Sequence, residues 1–114
     1  MDAENQRLVT IGRDTQALNK LMKEVRALAD AKQFNSGESR WWEMFALIHS
    51  EVSEAVDKYK KGASNYDVAW ELIDCIIRIL HMLSSMDVDP DLIFDTVMTA
   101  NWKRPIKYNT VRGG

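Results

Sequence analysis

Apolar residues recur along this chain at intervals of three and four, and the strict alternation of a half-buried strand is hard to find. Ile11, Leu18, Leu21, Met22, Val25, Leu28 and Ala29 form one apolar stripe, which predicts an amphipathic helix over about 14–33. The segment "FNSGES" (34–39) breaks the pattern. Asn35, Ser36 and Gly37 bring turn chemistry, and Asn35 stands three residues before Glu38, the spacing of a capping box. A second helix is predicted over about 38–61, with Trp42, Phe45, Leu47, Ile48, Val52, Ala55 and Tyr59 as its apolar positions. Lys58, Lys60 and Lys61 put cations at its negative end, and Gly62 stops it. Ser64 or Asn65 then caps a third helix over about 66–86. In "VDPD" (88–91), Asp89 reads as the cap and Pro90 as the first residue of a fourth helix, about 90–102. That helix carries Leu92, Ile93, Val97 and Met98, and the chain from Pro105 onward reads as extended.

Four helices with short connections predict an all-α four-helix bundle. Its single domain spans 14–108, between an N-terminal extension (1–13) and a C-terminal tail (109–114). At 114 residues the chain is long enough for one core and too short for two. The third helix is apolar on nearly every side, including Val68, Trp70, Leu72, Ile73, Ile76 and Ile77. A helix of that kind is normally buried all round, so a second subunit is expected to cover part of it, in a homodimer or homotetramer.

Charge narrows the partners. A formal net charge of −2 leaves no global footprint for nucleic acid or a membrane surface. The longest apolar stretch, about 72–83, is interrupted by Asp74, Arg78 and His81, which argues against a membrane span. No apolar run follows a basic start, so no secretory signal is expected. The single cysteine, Cys75, excludes an internal disulfide and cannot alone build a thiolate metal site. A cytoplasmic, reducing setting is the expectation.

The chemistry is concentrated in acids. Glu51 and Glu54 stand three apart on the second helix, and Glu71 and Asp74 repeat that spacing inside the most apolar one. Residues three apart lie about 60° apart around a helix, so each pair can converge on one point. If the two helices pack antiparallel, all four carboxylates can face one another. Buried like charges are costly and raise one another's pKa, and a hard dication relieves both problems. Mg²⁺ or Mn²⁺ suits such an oxygen cage. The plain alternative pairs Glu54 with Lys58 and Asp74 with Arg78 at i,i+4 along each helix. It is the better account of the first acidic pair alone, but the surroundings of Glu71 and Asp74 are too apolar for a solvated face. A di-iron site would call for Glu-x-x-His pairs. His49 and His81 do not fit that pattern and read as packed or surface residues.

Glu-x-x-Glu, a gap of sixteen residues and then Glu-x-x-Asp on successive helices resembles the MazG-like all-α nucleoside triphosphate pyrophosphohydrolases. That superfamily includes dimeric dUTPases, dCTP pyrophosphatases and phosphoribosyl-ATP pyrophosphohydrolases. "NWKRPIK" (101–107) is similar to an Asn-x-x-Arg-Pro segment of several members, so the likeness covers roughly 43–108. Many members have two adjacent acids at the first motif, whereas here Ser50 precedes Glu51. The resemblance implies Mg²⁺-dependent cleavage of (deoxy)nucleoside triphosphates between the α- and β-phosphates, removing unwanted or excess nucleotides. It makes Glu51, Glu54, Glu71 and Asp74 the metal ligands, with Glu51 or Glu54 positioning the attacking water and Glu51 preferred.

Phosphate oxygens also need donors. The resemblance puts Asn101, Arg104 and Lys107 on phosphate or sugar, although Arg104 and Lys107 also suit a solvated helix end. Lys58 and Arg78 stand one turn beyond an acidic pair, placed either for phosphate or for salt bridges to the acids. In "RWWEMF" (40–45), Trp41 and Trp42 point about 100° apart, so one can pack while the other, Trp42, stacks on a base, although packing in the core or a subunit interface is the commoner role for either. Trp70 and Trp102 read as packing residues. Two rival functions fit less well. A non-catalytic dimerisation or regulatory module with a vestigial metal site should have lost a ligand, and all four acids stand. A carboxylate bundle without nucleotide chemistry leaves the basic segment 101–107 without a role.

Overall fold

A computed structural model describes residues 12–106 of the chain. Among them are four α-helices and no strand: α1 (Ala17–Ala31), α2 (Trp41–Lys60), α3 (Asn65–Ser84) and α4 (Pro90–Lys103). A 3₁₀ turn, Glu38–Arg40, leads into α2. The chain divides into two compact units. One, residues 19–88, holds most of α1 with α2 and α3; the other combines the chain up to Leu18 with everything from Asp89 on, and so holds α4. No helix of the described residues is long and apolar enough to cross a membrane.

The helix ends follow local chemistry. Ser64 caps α3, its hydroxyl accepting from the Asp67 N–H at 3.2 Å. Asp89 caps α4 by accepting from Asp91 and Leu92, with Pro90 at the first turn. Gly62 closes α2 at φ +79°, a left-handed conformation that costs other residues energy. There the Gly62 and Ala63 N–H groups return to the Tyr59 and Lys58 carbonyls. The start of α2 differs from the expected capping box. The Asn35 carboxamide accepts from the Gly37 N–H at 2.8 Å, an Asx turn, and Gly37 precedes the 3₁₀ turn without a side-chain cap. The α1 helix is shorter than 14–33 at both ends. Asp14 engages Gln16 and Ala17 in a turn, and Gln33 takes a left-handed φ of 60° that sends the Phe34 N–H back to Ala29.

In the 19–88 unit, α2 and α3 form an antiparallel hairpin around a thin core that includes Met44, Ala55, Cys75, Leu80 and Met82. Within this chain α3 is not buried all round. Trp70 is 56% exposed and Ile73 53%, with Leu72 and Ile76 close behind. Packing against α2 covers one side of the helix only. In the other unit, Asp91 is buried, accepts from the Leu18 N–H at 3.1 Å and pairs with Arg13. Arg13 also pairs with Asp95 and lies over the Phe94 ring. It thus belongs to the packing of α4 although the sequence reads as an extension up to that point.

Candidate metal centre

The α2–α3 seam brings three of the four expected ligands together. Carboxylate oxygens of Glu51, Glu71 and Asp74 all lie within 4.8 Å of one another. Glu51 and Glu71 are buried, at 6% and 8% exposure, and Asp74 is half-buried. Glu54 is exposed beside them. Hydrogen bonding with Glu71, followed by the charge of Glu51, pushes the Glu54 pKa up.

Two cations answer the acids, and they do so across the hairpin. Lys58 on α2 donates from Nζ to Glu71 Oε1 on α3 at 2.6 Å. Arg78 on α3 donates from Nε to Glu51 Oε1 on α2 at 2.7 Å. The Lys58 contact lowers the Glu71 pKa against the opposing effect of burial, and it raises that of Lys58. The i,i+4 partners read from the sequence, Glu54 for Lys58 and Asp74 for Arg78, are not the ones used. The cause lies in the spacing. Glu51 and Lys58 are seven apart, as are Glu71 and Arg78, and seven residues are nearly two full turns. Each helix thus shows an acid and a cation on one face, and antiparallel packing sets each cation against the other helix's acid.

One buried atom remains unanswered. Glu51 Oε2 has no hydrogen-bond partner among the described residues, and no cation there pairs with Asp74. An orphaned buried carboxylate oxygen is destabilising, and a hard cation beside it removes the penalty. The donor set is oxygen only, which fits Mg²⁺ or Mn²⁺ and not a thiolate or imidazole metal. Glu51, Glu71 and Asp74 could hold such an ion. Neither histidine belongs to the cluster.

A cavity of about 230 Å³ opens beside these acids, and a second of the same volume shares part of its lining. Glu51 and Asp74 line the first, together with Val25, Leu28 and Ile77. Asn35, Arg40 and Met44 line the second, and Phe34, Arg78 and His81 are common to both. Phe34 and His81 carry no periodic signal of a site. The available hint is a large aromatic standing in an otherwise polar break, and Phe34 is 60% exposed there. The imidazole Nε2 of His81 lies 2.7 Å from the Ser36 hydroxyl. Burial, and then the Arg26 charge, lower the His81 pKa. The folded chain therefore favours the neutral ring. Stability from this site should be complete above about pH 6.5, the ordinary histidine value, and should be lost as the pH falls through the lower folded value. An NMR titration of His81, run beside urea melts at each pH, checks both parts; a His81→Gln chain should lose that component.

The remaining expected site residues are dispersed. Trp42 is 86% exposed, touched at its edge by the Phe45 ring, while Trp41 donates its indole N–H to Ser85 at 2.8 Å. Trp41 is thus the packed member of the pair and Trp42 the available one. Trp70, expected inside, meets the Tyr66 ring at a tilt of 51° at the surface, and Trp102 is also half exposed. Asn101 on the last turn of α4 and Arg104 just after it belong to the other unit, both exposed. Lys107 lies outside the described residues. Comparison with family models, curated proteins and solved structures found no match to this chain.

Proposed function

We propose that the chain is a Mg²⁺-dependent nucleotide pyrophosphohydrolase, converting (deoxy)nucleoside triphosphates to monophosphates and pyrophosphate. The observation that carries this reading is the convergence of Glu51, Glu71 and Asp74, one of whose buried oxygens, Glu51 Oε2, has no hydrogen-bond partner among the described residues. Those three residues would hold the ion. Bound there, Mg²⁺ supplies charge neutralisation for the triphosphate and makes water more acidic.

The chain's own groups divide the remaining work. Glu54 is exposed and has a raised proton affinity, which suits it to accept the proton of the attacking water. Glu51, buried and bonded to Arg78, suits ligation, so Glu54 is the better base of the two. Arg78 and Lys58 are long, partly exposed cations at the edge of the acids, within reach of phosphate oxygens. Trp42 offers a free ring for a base. For Asn101, Arg104 and Lys107 the support is the Asn-x-x-Arg-Pro resemblance alone. The uncovered apolar residues of α3 support assembly into a homodimer or homotetramer, in a helical bundle of the MazG-like kind. A structural rival is a hairpin whose acids exist only to pair with Lys58 and Arg78. The unanswered Glu51 oxygen speaks against it.

Incubating the protein with a panel of ribo- and deoxynucleoside triphosphates and Mg²⁺, scored for pyrophosphate against orthophosphate, tests this function. Pyrophosphate should appear with at least one nucleotide, and Glu71→Gln should reduce it at least about a hundredfold. Orthophosphate as first product, or a Glu71→Gln chain of undiminished rate, would sink the reading.

A further inference from the structure

Arg78 occupies a position that Lys58 does not share. Both cations neutralise a buried glutamate from the opposite helix, and their side chains are 41% and 40% exposed respectively. Of the two, only Arg78 also lines the cavity beside the acids and the second cavity that shares its lining. Its bond to Glu51 uses Nε alone, so the terminal nitrogens of the guanidinium are not committed to that acid. A guanidinium is a planar fork suited to the oxygens of a phosphate.

The charge count of the seam is informative. Ionised, Glu51, Glu54, Glu71 and Asp74 bring four negative charges, and Lys58 and Arg78 bring two positive ones. The remaining two equal the charge of one divalent cation. Such an ion at Glu51 would be repelled by Arg78 and would weaken the attraction that holds it. The nearest place for the released fork is the pair of cavities it already borders. There it would meet Arg40, itself paired with Glu43 at 2.7 Å, neutral His81, the Asn35 carboxamide and the exposed Phe34 ring. Cations, one amide and one aromatic surface match a ligand with an anionic group attached to a flat ring.

We propose that Arg78 is an exchangeable counter-cation: it neutralises Glu51 while the acids lack a metal ion, and on metal binding turns into the adjoining cavities to bind the phosphate of a nucleotide. This rests on the hydrolase reading and adds an order to it, metal before nucleotide. It also makes the two ligands cooperative, because the metal releases the donor that the nucleotide needs.

The test reads binding on the intact chain. The Arg78 Nε–H resonance of the wild-type protein should move when Mg²⁺ is added, as its bond to Glu51 is lost, and move again with a nucleoside monophosphate. Arg78→Met should bind Mn²⁺ about fivefold more tightly, having lost an internal competitor worth one partly exposed charged hydrogen bond. The same variant, saturated with Mn²⁺, should bind nucleoside monophosphates about tenfold more weakly. Arg78→Lys, which keeps a cation in place of the fork, should fall between. An Arg78 resonance that stays put at saturating Mg²⁺ overturns the proposal. Weaker Mn²⁺ binding by Arg78→Met overturns it too, since that is the result of a merely structural ion pair. Tighter Mn²⁺ with unchanged monophosphate affinity does the same. In each of those cases pyrophosphate release from triphosphates would leave the hydrolase reading standing, whereas a wild-type chain that binds no Mn²⁺ sinks both.

Discussion

Glu51→Gln and Glu54→Gln should each lower nucleotide turnover by about a thousandfold, within the range a general base or its equivalent contributes, but by different routes. Glutamine keeps the shape of glutamate and an oxygen for the partner donor, so neither change should disturb the hairpin. At Glu51 the loss is of a buried negative charge among the three converging carboxylates. Mn²⁺ affinity should therefore fall by more than about a hundredfold, the upper end of the cost of losing a group one step removed from a metal. At Glu54 the loss is of an exposed carboxylate whose proton affinity is already raised by Glu71 and Glu51. Mn²⁺ affinity there should change little, and turnover should fail with metal fully bound. Calorimetric Mn²⁺ titrations beside steady-state rates separate the two. If Glu54→Gln weakens Mn²⁺ as much as Glu51→Gln does, Glu54 is a ligand and the assignment of the base to it is wrong.

Mg²⁺ should raise the melting temperature by about 10 °C over that in EDTA. A ligand at a hundred times its Kd stabilises the folded state by about 2.7 kcal/mol, and a chain of this size gains about 4 °C per kcal/mol. The physical source is specific. In the metal-free hairpin two cations face four acids, and one buried oxygen of Glu51 has no partner among the described residues. Unfolding returns those groups to water, so their crowding counts against the native state until a cation relieves it. Na⁺ at the same ionic strength should give no comparable shift, because screening acts weakly on buried charges. The Glu51→Gln chain should melt at nearly the same temperature with and without Mg²⁺. Equal melting temperatures for the wild-type chain in Mg²⁺ and EDTA would remove the metal centre from consideration.

Much of this is legible in the chain itself, and what is not has identifiable causes. The helices follow from the three-and-four spacing of apolar residues, and the Gly62, Ser64 and Asp89-Pro90 signals mark their ends within a residue or two. The start of α2 is harder. Asn35 can satisfy a backbone N–H either as a capping box or as an Asx turn, and the spacing to Glu38 does not choose between them. The acids are legible because a doubled Glu-x-x-acid spacing in an apolar setting puts more negative charge into a seam than a core tolerates alone. Their cations are not, because i,i+4 and i,i+7 neighbours lie on the same face. Only the antiparallel partner decides that Lys58 serves Glu71 and Arg78 serves Glu51. That the chain leaves part of α3 uncovered is foreshadowed by its all-round apolar character, but which residues stay exposed is not, because an apolar helix looks the same whether its own chain or another covers it. Phe34 and His81 stay hidden for a simpler reason: residues brought together from a loop and a helix leave no period.

The two cross-helix bonds join 51 to 78 and 58 to 71, so both are centred on the same point of the chain, between Ser64 and Asn65. "EVSEAVDK" (51–58) and "ELIDCIIR" (71–78) share an acid, an acid and a cation at their first, fourth and eighth places, met from opposite directions, while Asp57 of the first stands where the second has Ile77. A repeat packed antiparallel makes these shared positions two-fold, and they alone give a ligand no sense of head and tail. Direction has to come from where the match fails: Asp74 is one methylene shorter than its counterpart Glu54, and a guanidinium stands where the other half has an ammonium. Under the proposed hydrolase function, such mismatches, with the unmatched Asp57, would set which end of a polyphosphate the hairpin receives.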